Sequence, residues 1–132
     1  MIIKPYEINK INENINRLIL FYGKNDGLKN EALHLLIKEK NNSLNYEEKE
    51  ILDNENNFIE SILSKSLFDP QKFIVIKRAT DKILKIIEIL QQKKLEDTTI
   101  ILISESLEKK SKLRSFFEKN KTLVCVPFYP DN

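Results

Sequence analysis

A chain of 132 residues is the size of one ordinary domain, long enough to bury roughly two thirds of its unfolded surface around a single core. Hydrophobic residues make up 41% and charged residues 32%, and 22 basic against 20 acidic side chains leave a net charge of +2, too small to draw in nucleic acid or a membrane by bulk charge. One Cys excludes an internal disulfide framework, one Cys with one His cannot make a Cys/His zinc site, and no apolar run reaches the ~20 residues of a membrane span.

The opening apolar patch, Met1-Ile2-Ile3, is too short for a signal peptide, so a cytoplasmic location is expected. Heavy use of Ile, Lys and Asn suggests an A/T-rich bacterial genome and tells against reading every surface Lys as a signal. Charge is uneven: residues 1–64 carry 8 basic and 11 acidic side chains, residues 65–132 carry 14 and 9. No linker or repeat divides the chain, so 1–132 is expected to be one domain.

Leu18-Ile19-Leu20-Phe21-Tyr22 is a continuous apolar run, as expected of a strand buried on both faces. After the turn Gly23–Gly27, Leu28, Ala32, Leu35 and Leu36 recur at helical spacing, which predicts a helix to about Lys40. Ser43–Glu47 reads as a short edge strand. Asn54 is a plausible N-cap for a helix with the stripe Phe58, Ile59, Ile62 and Leu63, stopped by Pro70. Phe73–Ile76 is a β-branched strand. Thr80 or Asp81 caps a helix bearing Ile83, Ile86, Ile87 and Leu90. Thr98–Ile103 is a further buried strand, Lys109–Lys119 a helix with a basic outer face, and Leu123–Val126 the last strand. Strands alternating with helices predict an α/β fold with a parallel sheet covered on both sides. Val126-Pro127-Phe128-Tyr129-Pro130 leaves two aromatics beyond the last strand, as expected at a domain boundary in a longer chain.

The first strand–turn–helix is the usual phosphate site of such folds. Against the Walker pattern G-x-x-x-x-G-K-[ST], Gly23 is present and Lys29 stands at the lysine position. Leu28 replaces the second glycine and Asn30 the magnesium-binding hydroxyl, while Gly27 falls one residue early. The strand that should end in an acidic residue ends in Lys77-Arg78, which would repel the ion. Two readings stay open: a nucleotide-site frame that has lost hydrolysis, or a turn that simply needed a glycine. No catalytic residue, metal site or cofactor is expected. His34, about 240° round the helix from Leu28, falls on the solvent side, and Cys125 between two valines reads as a buried, inert thiol. The run Lys109, Lys110, Lys112, Arg114 could touch a phosphate backbone, but a solvated helix face is the favoured reading.

Ser66-Leu67-Phe68 does not fit a pure core role. If the preceding helix continues, Leu67 lies at the edge of its stripe and Phe68 well off it, so an apolar pair projects just before Asp69-Pro70. Such a tip suits a pocket on a partner; the alternative is that the helix ends early and both residues fold under to cap the core.

Four segments together resemble the N-terminal domain of the δ subunit of the bacterial DNA polymerase III clamp loader. They are Leu20–Ala32; Ser64–Phe68 followed by Lys72–Ile76; Thr99–Ile103; and Leu107–Leu113. The resemblance implies an AAA+-like, three-layer domain with a five-stranded sheet in the order 5-1-4-3-2 and a degenerate nucleotide site. It implies a part in loading the β sliding clamp onto primed DNA beside ATPase γ/τ subunits and δ′. It also implies that Leu67 and Phe68, next to Ser66, enter a pocket on the clamp. Further domains would follow in a full-length member. The competing reading is a small P-loop NTPase or kinase-like domain using Lys29.

Overall fold

The computed structural model describes residues 1–12, 15–37, 43–64, 72–93, 95 and 98–129. Five strands, β1 (Leu18–Tyr22), β2 (Ser43–Glu47), β3 (Lys72–Lys77), β4 (Thr98–Ile103) and β5 (Val124–Pro127), pair in the order β2-β3-β4-β1-β5. Every pairing is parallel, with Leu18 opposite Ile100, Ile19 opposite Val124, and Ile74 opposite Leu44 and Ile100. This is the α/β class expected from the sequence and the strand order implied by the family resemblance, seen from the other edge.

The period-two alternation of strands divides the core into two layers. Leu18, Leu20, Tyr22, Ile74, Ile76, Ile100, Leu102 and Cys125 face one way. They meet Phe58 and Ile62 of α3 (Glu55–Leu63), Ile86, Ile87 and Leu90 of α4 (Leu84–Gln92), and Leu113 and Phe117 of α5 (Lys112–Lys119). Ile19, Phe21, Phe73, Ile101, Val124 and Val126 face the other way, under Ala32 of α1 (Asp26–Ile37), Ile3, Ile8 and Phe128. Full burial of each large aliphatic side chain contributes about 1.5–3 kcal/mol, so these two layers dominate stability. Among the described residues no helix is long and apolar enough to cross a membrane.

Several elements depart from expectation, each for a local reason. The predicted helix from Lys109 starts at Lys112 instead, because the Asp81 carboxylate and Ser111 hydroxyl satisfy its first amides: Asp81 accepts from Lys112 N, Leu113 N and Ser111 Oγ, and Ser111 accepts from Arg114 N. The first helix starts at Asp26, two residues early, since Asn25 Oδ1 accepts from Leu28 N as its cap. Within it, Leu35 is exposed and Lys29 and Ala32 are buried, so the inward stripe is rotated from the one expected. The helix expected to run on toward Pro70 ends at Leu63, where Ser64 turns extended. Two short pieces were not legible: a 3-10 helix at Pro5–Lys10 and α2 (Glu48–Leu52). In α2 the buried Glu48 carboxylate accepts from both Thr80 N and Thr80 Oγ1, tying α2 to the turn after β3. Phe128, expected as a dangling aromatic, is buried edge-on against Phe21, with ring centroids 5.1 Å apart.

Burial pushes the Asp81 carboxyl up, but the three hydrogen bonds it accepts win and hold it below its ordinary value. A depressed carboxylate stabilises the fold above the pKa of the unfolded chain, and that contribution is lost as pH falls through the folded value. Asp81→Asn should cost about 1 kcal/mol at neutral pH, the size of a lost helix cap, and should flatten the acid limb of the stability curve. Urea denaturation at pH 7 and pH 3 checks this; a variant as stable as wild type at pH 7 contradicts the capping role.

Candidate functional site

The sheet's C-terminal edge carries the turn from β1 to α1, where a doubly wound fold would bind phosphate. Its groups are already engaged. Gly23 N donates to the Glu105 carbonyl at 3.1 Å, and Asn25 N donates to the Phe128 carbonyl at 3.2 Å. Phe128 N donates back to the Tyr22 carbonyl at 2.7 Å, and Asn25 Nδ2 reaches the Tyr129 carbonyl at 3.5 Å. The chain leaving β5 therefore lies across the turn. Gly23 has φ +123°, and a Cβ there would overlap the backbone of Phe128. The close approach of the Phe128 backbone is what requires a glycine at this turn.

Lys29, at the phosphate-lysine position, points inward. Its side chain is 4% exposed; Nζ donates to the Ser104 carbonyl at 3.0 Å and pairs with Asp26 Oδ1 at 3.1 Å. Ser104 itself is buried, its amide donating to the Phe21 carbonyl and its hydroxyl to the Ala79 carbonyl. The lysine thus staples α1 to the end of β4. Beside it a depression of about 360 Å³ is lined by Gly23, Lys24, Asp26, Glu105 and Ser106. Two carboxylates against one free ammonium make this a poor cradle for a polyphosphate. Leu28 is half-buried and Asn30 is exposed.

At the end of β3, Lys77 and Arg78 are both exposed. Arg78 adopts φ 57°, and its Nη1 lies 3.0 Å from Glu47 Oε1. No cluster of three or more His, Cys, Asp or Glu suited to a metal occurs among the described residues. His34 is exposed, as expected. Cys125 is buried, and desolvation pushes its thiol up to about 12, which leaves it protonated and inert.

The basic run near α5 needs one correction. Arg114, expected on the solvated face, is turned inward: Nη1 donates to the Leu107 carbonyl at 2.9 Å, Nε donates to Glu118 at 3.0 Å, and the guanidinium sits 5.0 Å from the Tyr22 ring centroid. Burial pushes the Tyr22 phenol up, and its bond to Tyr129 adds to this. Arg114 therefore braces α5 against β1. Lys109 and Lys112 are exposed, and Lys110 pairs with Glu108. Ser66, Leu67 and Phe68 lie outside the described residues.

No protein-family model matches the sequence, and no curated protein matches it. Among solved structures, the chain is similar to the Bacillus subtilis DNA clamp loader delta protein, with a TM-score of 0.69 and 16% identity over 97% of this chain and 43% of that one. The chain spans less than half of that protein's length, and at this identity the likeness is one of fold. A more distant likeness, TM-score 0.46 at 13% identity, is to the cytoplasmic domain of the Thermomonospora curvata Type VII secretion ATPase, covering 72% of this chain and 17% of that one.

Replacing Lys29 by Met keeps the aliphatic stem and leaves the Ser104 carbonyl buried without its donor. The expected cost is about 1–3 kcal/mol, the penalty of an unsatisfied buried acceptor. It should appear as a lower urea midpoint with an unchanged slope. An unshifted midpoint contradicts the staple.

Proposed function

We propose that this domain works in DNA clamp loading, as the clamp-contacting part of a δ-type subunit that does not hydrolyse ATP itself. The observation that carries the reading is the fold likeness over 97% of the chain to a clamp loader delta protein. The sequence resemblance to the δ family, drawn from four ordered segments, points the same way independently. In this reading the domain binds the ring-shaped β sliding clamp and favours its open form for placement on primed DNA. Neighbouring ATPase γ/τ subunits and δ′ act with it through a longer chain, in the cytoplasm of a bacterium. A ligand of the clamp opens the ring only by binding the open form better than the closed one.

The competing reading, an NTPase or kinase-like domain using Lys29, needs that ammonium on a phosphate. Its engagement with Ser104 and Asp26, together with Phe128 lying over the turn, weighs against this. ATP binding and hydrolysis in the assembly then fall to other subunits, and residues 1–132 act as one non-catalytic domain with no cofactor.

We assign clamp contact to Leu67 and Phe68, flanked by Ser66, on the connection between α3 and β3. The helix ends at Leu63, so the pair is not carried on its uninterrupted extension; contact depends on the connection itself. Burying a Leu and a Phe in a partner's pocket contributes about 1.5–3 kcal/mol each, enough to dominate a small interface. Leu67→Ala with Phe68→Ala should weaken binding to immobilised β clamp by about 100-fold or more while the melting curve stays close to wild type. Unchanged clamp affinity removes the assignment. A variant that melts much earlier supports the capping alternative instead.

A further inference from the structure

At the opposite end of the sheet from the phosphate turn lies a half-open cleft of about 560 Å³ between the start of β1, the end of α4 and the entry to β5. Its walls are mainly apolar: Leu18, Leu90 and Leu123 are buried, Leu95 is half-buried, and Ile15 stands at the rim 61% exposed. Among the described residues, the one charged group in the lining is Arg17. Its Nη1 is buried and has no hydrogen-bond partner among the described residues. Volume and lining fit an occupied site: clefts of roughly 300–1,000 Å³ with apolar walls and a few placed polar groups are the usual binding form.

Arg17 identifies the chemistry. A buried guanidinium nitrogen without an acceptor costs free energy, and an incoming carboxylate removes that cost through a charge-assisted hydrogen bond. The other polar atoms near the cleft are largely satisfied within the chain. Gln91 Nε2 donates to Asn120 Oδ1 at 3.1 Å, and Asn16 Nδ2 donates to the Thr122 carbonyl at 3.0 Å. The Arg17 carbonyl is held by Ile100 N at 2.8 Å, so the cleft is anchored to the sheet. Among the described residues no acidic side chain lines it. An exposed isoleucine on an open rim suits a polypeptide segment better than an enclosed metabolite.

We propose that this cleft is a docking site for a partner polypeptide segment that places an acidic side chain on Arg17 and a neighbouring apolar side chain on the wall of Leu18, Leu90 and Leu123. The site does not depend on the clamp-loading reading and stands or falls separately from it.

The test is an amide-resolved NMR titration of the 132-residue chain with a capped tripeptide carrying glutamate between two leucines, beside its glutamine counterpart. The glutamate peptide should cause saturable shifts at Arg17, Leu18, Leu90 and Leu123 and bind about 5- to 10-fold more tightly than the glutamine peptide, as one charge-assisted bond would give. Arg17→Gln should abolish that preference while keeping the spectrum of the fold, because the Ile100 bond is to the Arg17 backbone. Three results overturn the proposal: no shifts in the cleft, equal binding of the two peptides, or the same preference in Arg17→Gln. Glu13, Glu96 and Asp97 lie outside the described residues, so single Glu13→Gln, Glu96→Gln and Asp97→Asn variants complete the test. A changed Arg17 side-chain resonance in any of these free variants means that the acceptor is internal and also overturns the proposal.

Discussion

The arrangement at the head of the sheet turns on one buried ammonium. Lys29 leaves the solvent in the second turn of α1 and must find acceptors; it finds the carbonyl of Ser104 beyond β4 and the carboxylate of Asp26. Because β4 lies next to β1, this contact ties α1 to the strand beside the one that precedes it. The backbone leaving β5 then closes the turn from the other side, with Phe128 seated on Gly23 and Asn25. Two independent contacts thus engage the turn between β1 and α1 from opposite sides. Together these contacts close the turn from both sides and tie α1, β4 and the chain after β5 into one rigid unit.

The sheet was legible because its signal is redundant. Leu18–Tyr22, Phe73–Ile76 and Thr98–Ile103 are runs in which every residue is apolar or β-branched, and each becomes a strand buried on both faces. The stripe of Ile83, just before α4, with Ile86, Ile87 and Leu90 within it is wholly buried for the same reason. What escaped were features decided by single long-range hydrogen bonds. The start of α5 depends on Asp81, thirty residues earlier in the chain, and α2 on Glu48 meeting Thr80. Neither contact leaves a periodic trace. Nor does the local composition of Glu47–Glu50 reveal that its Glu48 carboxylate is buried.

The site divides in the same way. The missing glycine and hydroxyl at Leu28 and Asn30 were visible in the motif, but the inward turn of Lys29 was not, since a lysine after a glycine-rich turn has the same spelling whether it meets phosphate or a carbonyl. Arg114 is a parallel case: its place in a basic run suggested solvent, whereas the carbonyl of Leu107, the carboxylate of Glu118 and the ring of Tyr22 draw it inward. Arg17 gave no sequence signal at all, because its distinction lies in what surrounds it. The Leu67–Phe68 assignment rests on the family resemblance alone, since α3 ends at Leu63 and the pair lies outside the described residues.

Direct observation of the Lys29 side-chain ammonium by nitrogen-15 NMR, without and then with excess magnesium ATP, tests the closed turn most sharply. A stapled Lys29 gives a slowly exchanging ammonium signal, correlated with Ser104, that is indifferent to the nucleotide. A signal lost to fast solvent exchange, or one that moves saturably as ATP is added, would mean that the turn is open to phosphate and that the domain retains a nucleotide site.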